Sequence, residues 1–103
     1  MNDRPAKPPN LNHVDWIEKK HDEAMEMFLE IYSAMRANLI AKNRPVDNAA
    51  VRRKDWREYM QWQFHIGWEI AEQIEQSLSR AGKIKLFGGY AVPVMDQEEG
   101  NEA

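Results

Sequence analysis

Apolar residues recur at spacings of three and four over two long stretches of the chain. Val14, Ile17, Ala24, Met25, Phe28, Ile31, Tyr32, Met35 and Leu39 make the first stripe. Trp56, Tyr59, Met60, Ile66, Ile70, Ile74 and Leu78 make the second. That period marks one face of an α-helix. The first helix is expected from about Asn12 to Lys42, with Pro9 and Asn12 suited to its start. It must end before Pro45, which cannot continue a helix and pushes Arg44 out of the helical region. The second is expected from Asp47, a good N-cap, to Ala81, with Gly82 as its stop. Asp55 offers an alternative cap for a separate helix after the Arg52-Arg53-Lys54 run.

The short link through Asn43–Asn48 makes the two helices antiparallel neighbours. Beyond Gly82 the period changes. Lys83–Val94 reads as two β-prone runs around Gly88-Gly89, a hairpin signal. Pro93 confines the second run to an edge. The expected fold class is therefore all-α: a long antiparallel helical hairpin (residues 12–42 and 47–81) with a short C-terminal β-hairpin or extended arm at 83–95. This is one domain, with a flexible tail at 1–11 and an acidic tail at 96–103.

On a helical wheel, Trp16, Met27, Trp62 and Trp68 fall away from the stripe that closes the hairpin, and Phe64 sits at its margin. Large apolar side chains left outside mark an association surface. About 80 residues of structure form a marginal core, for which oligomerisation is a common remedy. A dimer or larger assembly of hairpins packed as a helical bundle is the expected solution. The alternative is that the C-terminal hairpin folds back over those tryptophans within one chain.

The 103 residues carry a net charge of -3 and no cysteine. Disulfides, thiolate metal sites and cysteine nucleophiles are thereby excluded, and a reducing cytoplasm is the expected location. No run is apolar enough to span a bilayer, so no membrane partner is expected. The charge is polarised. Residues 36–57 net +5, residues 1–35 net -3 and residues 58–103 net -5. The hairpin's closed tip is thus basic, through Arg44, Arg52, Arg53, Lys54 and Arg57. Two such rods pair favourably tip to tail. The tip could also meet nucleic-acid phosphate, with Trp56 available to stack on a base. A solvated helix end is the favoured reading of that tip.

The stretch Glu18–Glu30 holds the candidate chemistry. Glu18 and His21 form Glu-x-x-His, with His21 in the apolar stripe, and they lie level with Glu72 and Glu69 on the second helix. Glu-x-x-His pointing into a bundle resembles the di-iron carboxylate proteins of the ferritin-like class. That resemblance implies a metal held by Glu18, His21, Glu69 and Glu72, the latter pair reached across a subunit contact. Asp22-Glu23-x-x-Glu26, with Glu69-x-x-Glu72 later, resembles the acidic motifs of the all-α nucleoside triphosphate pyrophosphohydrolases. Those hold Mg²⁺ against a triphosphate with helix carboxylates.

Against these stand plainer readings. The acidic run is a solvated helix face with Lys19 and Lys20 beside it. His21 is a neutral core histidine with one hydrogen bond, to Gln63 or Gln73, its ring set in the gap left by Gly67. Ser33, Ser77 and Ser79 show no local base, and no glycine-rich phosphate loop opens a helix. The expected function is non-enzymatic and needs no cofactor: a small adaptor, inhibitor or regulatory protein that binds another protein and itself. Trp62, Trp68, Phe87 and Tyr90 are its candidate contact residues, because Trp and Tyr are the usual anchors of interfaces.

Overall fold

The computed structural model describes residues 9–94. Residues 1–8 of the expected N-terminal tail, and the expected acidic tail at 96–103, lie outside the described residues. The elements run α1 (Pro9–Lys19), α2 (His21–Ala41), a 3-10 turn (Val46–Asn48), β1 (Val51–Arg52), α3 (Arg53–Phe64), α4 (Trp68–Arg80), β2 (Ile84–Phe87) and β3 (Tyr90–Pro93). The strands form one antiparallel sheet in the order β1-β3-β2. The all-α hairpin expectation is corrected: the fold mixes four helices with a three-stranded sheet.

Three local events break the two long helices. The first helix kinks at Lys20, where Lys20 N still reaches the carbonyls of Trp16 and Ile17. Neither proline nor glycine stands there. The kink lets Ile17 and Phe28 both enter one core from successive helices. At the far end Asn43, at φ 58°, closes α2, and Arg44 N bonds Leu39 O at 2.8 Å. Asparagine tolerates this left-handed position better than most residues. The second long helix never starts at Asp47. Pro45 and Ala49 are extended, and Val51 is buried as a strand paired with Ala91. A β-branched residue on a pleated, half-buried surface suits that role.

The third break is at His65, which takes φ 58° and ends α3. Gly67 is then the N-cap of α4, not a helix-interior glycine, and a Cβ there would meet nothing within 4 Å. So α3 and α4 are joined by a three-residue turn, His65-Ile66-Gly67. Two helices joined in this way form a helix-turn-helix unit. Here β1 precedes the unit, the β2–β3 hairpin follows it as a wing, and β1 pairs with β3. The connectivity is that of a winged helix-turn-helix. Gly82, at φ 79°, closes α4, and Gly88, at φ 59°, opens the hairpin turn.

The core lies where α2, α3, α4 and the sheet meet. Phe28 packs edge-on to Trp56 with ring centroids 4.8 Å apart, and Trp56 donates its indole N–H to Ala24 O at 3.1 Å. Met60, Ala71, Ile74, Leu78, Val51, Ile84 and Ala91 close around them. Two of the residues that the hairpin reading left outside are covered within one chain. Met27 is buried, and Trp16 packs edge-on to Phe64 at 6.1 Å under the Lys20 ammonium. Trp62 and Trp68 stay exposed. All buried residues of α2 fall within Ala24–Phe28, and Ile31, Tyr32, Met35 and Leu39 further along are half-buried. The molecule measures 57 × 32 × 21 Å.

Candidate interaction surface

Glu75 organises the surface between α3, α4 and the wing. It sits on the inward face of α4 with Ala71, Ile74 and Leu78, and is fully buried. An isolated carboxylate there would be untenable. Two arginines, one helical turn apart at the start of α3, hold it. Arg53 donates Nε to Oε2 at 2.8 Å and Nη2 to Oε1 at 3.1 Å. Arg57 donates Nε to Oε1 at 2.9 Å, with Nη2 2.7 Å from the same oxygen. The bond to Glu75 raises the Arg53 pKa above its ordinary value, while burial pulls the other way.

That buried anchor positions the wing and an indole. Arg53 Nη1 bonds Gly88 O at 2.8 Å, and Arg53 N bonds Gly89 O at 2.9 Å. The Arg57 guanidinium lies 4.8 Å from the Trp68 ring centre, a cation–π contact. Arg53, Lys54, Arg57, Trp68 and Gly89 line a shallow hollow of about 360 Å³, walled mainly by carbon. Phe87 and Tyr90 flank the Gly88-Gly89 turn with their rings stacked at 6.3 Å. They also border a second groove, of about 540 Å³, with Met35, Ala50 and Val92.

Trp68 thus lines one hollow with Gly89 of the wing turn, while Phe87 and Tyr90 line the other. Trp62, 75% exposed in the last turn of α3, lines neither hollow. The basic-tip residues are largely paired. Arg53 and Arg57 serve Glu75, Arg52 bonds Asp55 at 3.0 Å, and Lys54 lies 3.7 Å from Glu58. Arg44 stands exposed just beyond α2. Trp56 is fully buried and has no face to offer a base.

The metal-ligand candidates are not gathered. His21 Nε2 lies 2.8 Å from Ser77 Oγ on α4, rather than on either glutamine. The two share a hollow of about 460 Å³ with Glu18, Gln73 and Arg80, which Glu69 and Glu72 do not line. Among the described residues no group of three His, Asp or Glu side chains is placed to hold a metal ion. Asp22, Glu23 and Glu26 are exposed on α2, as a solvated face would be.

Sequence reasoning missed Glu75. Its signal was a carboxylate inside the apolar stripe beside Ile74 and Leu78, with two arginines four apart on the preceding helix. The His21–Ser77 pair had no local signal, since 56 residues separate the partners.

Tyr59 donates its hydroxyl to Glu30 Oε1 at 2.7 Å, and this bond raises the phenol pKa above 10.0. A raised folded value favours the neutral phenol. Its contribution is complete below the ordinary value and is lost as pH rises through the folded one. In an alkaline titration of tyrosinate absorbance, one of the three tyrosines is expected to ionise late. Glu30→Gln should move it earlier; an unchanged curve would mean that the bond is not formed in solution.

Compared with family models, with curated proteins and with solved structures, the chain matches none.

Proposed function

We propose that this protein works without catalysis, as a small adaptor, inhibitor or regulator, by binding another protein at the Trp68–Phe87–Tyr90 rim. One observation carries the reading: exposed aromatic side chains border two hollows beside the wing turn, Trp68 the one built on the buried ion triad, Phe87 and Tyr90 the other. Preorganised aromatic anchors lose little freedom on binding. The stems of Arg53, Lys54 and Arg57 and the Trp68 ring suit an apolar side chain of the partner. Their charged heads suit flanking carboxylates.

A second reading, nucleic-acid binding, is favoured by the helix-turn-helix and wing. In such units the second helix enters the major groove with its N-terminal residues on the bases. Here that helix starts Trp68-Glu69 and continues through Glu72. Carboxylates at that end repel phosphate, and two of the nearby arginines are spent on Glu75. Fold alone does not decide function.

The test uses one set of variants in two assays. Affinity capture from the native host, followed by reconstitution with the purified partner, is expected to give a complex. Trp68→Ala and Tyr90→Ala should weaken it at least about tenfold, as for an anchor residue, and Trp62→Ala should not. Anisotropy titration with duplex DNA should show no binding at physiological salt. Tight DNA binding that falls steeply with salt and with Arg52 and Lys54 neutralised, but ignores Trp68→Ala, would replace the protein reading with the nucleic-acid one.

A further inference from the structure

The hollow around His21 and Ser77 shares no residue with the partner surface, and two helix faces build its walls. Val14, Ile17, Glu18 and His21 come from one side, at spacings of three, one and three across the kink at Lys20. Gln73, Ser77 and Arg80 come from α4, at spacings of four and three. Each set is one face of a helix. The volume of about 460 Å³ falls within the roughly 300–1,000 Å³ of small-ligand sites.

Charge says what kind of ligand fits. Glu18 and Arg80 line the same hollow with opposite charges, yet they form no ion pair with each other. The lysines that follow Glu18 are engaged elsewhere: Lys19 lies 3.3 Å from Asp15, and Lys20 3.0 Å from Glu23. A simple anion gains Arg80 but is repelled by Glu18, and a simple cation meets the reverse. A ligand that carries both charges gains from both. A guanidinium grips a carboxylate through two parallel bonds, and a carboxylate accepts from an ammonium group.

The remaining lining completes the fit. His21 Nε2 and Ser77 Oγ are 2.8 Å apart. Either tautomer of the neutral ring leaves this pair a spare donor: Nδ1–H where Ser77 donates to the ring, the hydroxyl where the ring donates to Ser77. Such a donor beside Arg80 suits a carboxylate oxygen. Val14, 56% exposed, and Ile17 and Ala81 supply apolar wall.

We infer that this hollow binds an α-amino acid with an apolar side chain. Arg80 holds its carboxylate beside the His21–Ser77 pair, Glu18 holds its ammonium group, and Val14, Ile17 and Ala81 meet its side chain. The site goes beyond the partner-binding reading and stands or falls separately from it.

Calorimetric titration of the full chain with L-leucine tests it, alongside two analogues that each lack one charge. Isocaproate lacks the ammonium group and isoamylamine lacks the carboxylate. Leucine is expected to bind at millimolar concentration or below, and each analogue at least about tenfold more weakly, the loss of one charge-assisted bond. Glu18→Gln should weaken leucine by a similar factor and leave isocaproate unchanged or tighter. Arg80→Gln should weaken leucine likewise and leave isoamylamine unchanged or tighter. General damage to the fold does not produce this crossed pattern. Both side chains are exposed, so both variants should fold, with circular dichroism that matches wild type. Trp68→Ala should leave the titration unchanged. Failure of leucine, valine, methionine and phenylalanine alike to bind at millimolar concentration would overturn the inference. So would either analogue binding as tightly as leucine, or variants that change all three ligands equally.

Discussion

Glu75→Ala is expected to destabilise the protein by about 3–5 kcal/mol, the usual result of breaking a buried ion pair from one side. The carboxylate is fully buried, while Arg53 and Arg57 are 20% and 12% exposed. Removing Glu75 leaves two guanidinium groups facing each other with little water to solvate them. A domain of this size holds roughly 5–15 kcal/mol in total, so the loss is a large share. Urea denaturation measures it as a fall in midpoint. Lys54→Ala serves as the contrast: its exposed pair with Glu58 is worth about 0–1 kcal/mol. If Glu75→Ala and Lys54→Ala were alike, the triad would be solvated and the surface built on it would lose its rigidity.

A combined replacement separates stability from surface. Arg53→Met, Arg57→Met and Glu75→Leu together remove every charge of the triad and keep its bulk. Such swaps are often neutral or stabilising by about 1–4 kcal/mol. The triple variant should therefore fold, yet it lacks the guanidinium under Trp68 and the Arg53 side-chain bond to Gly88 O in the wing turn, keeping only the main-chain bond to Gly89 O. Partner binding should fall while the denaturation midpoint holds. A triple variant that folds and binds normally would make the triad structural only.

Much of the helical content was legible because it follows from period. Ala24, Phe28, Met60, Ile74 and Leu78 lie on the inward faces that the spacing assigned, and the β-runs around Gly88-Gly89 pair as a hairpin. What failed was continuity. The stripe from Trp56 to Leu78 passes through His65 almost in phase, so its period could not report that one left-handed residue splits it. Strand β1 is two residues long and is a strand only because Ala91 and Tyr90 lie beside it. No local pattern carries that information. The same error moved the charges. A continuous hairpin sends Arg53 and Arg57 to a solvent-facing tip, whereas the real break turns both toward α4 and the buried Glu75. Phe87 and Tyr90 stack beside the wing turn and Trp68 lines a separate hollow against it, an arrangement set by the wing, whose place on the helices the sequence left open.

Trp56→Ala is expected to cost about 3–5 kcal/mol, as truncations of large buried aromatics do. Trp56 ties α3 to α2 by two separate contacts. Its ring meets Phe28 of α2 edge-on, its indole N–H reaches Ala24 O across the interface, and both partners are fully buried. Truncation opens a cavity between α2 and α3 that the two helices can only partly collapse. Trp56→Phe keeps most of the volume but loses the donor to Ala24 O. That carbonyl can still accept within α2, so about 1–2 kcal/mol is the expected loss, the sum of one hydrogen bond and some packing. Trp62→Ala, on an exposed ring, should fall within about 0.5 kcal/mol. The four tryptophans allow the same contrast by fluorescence. Iodide should quench Trp62 strongly and Trp56 hardly at all, read by difference in single tryptophan-to-phenylalanine variants. The order of the three stabilities matters as much as their size. If Trp62→Ala proved as damaging as Trp56→Ala, Trp62 would already be covered in solution by a second copy or another part of the chain. It would then join the contact surface from which the single-chain structure separates it.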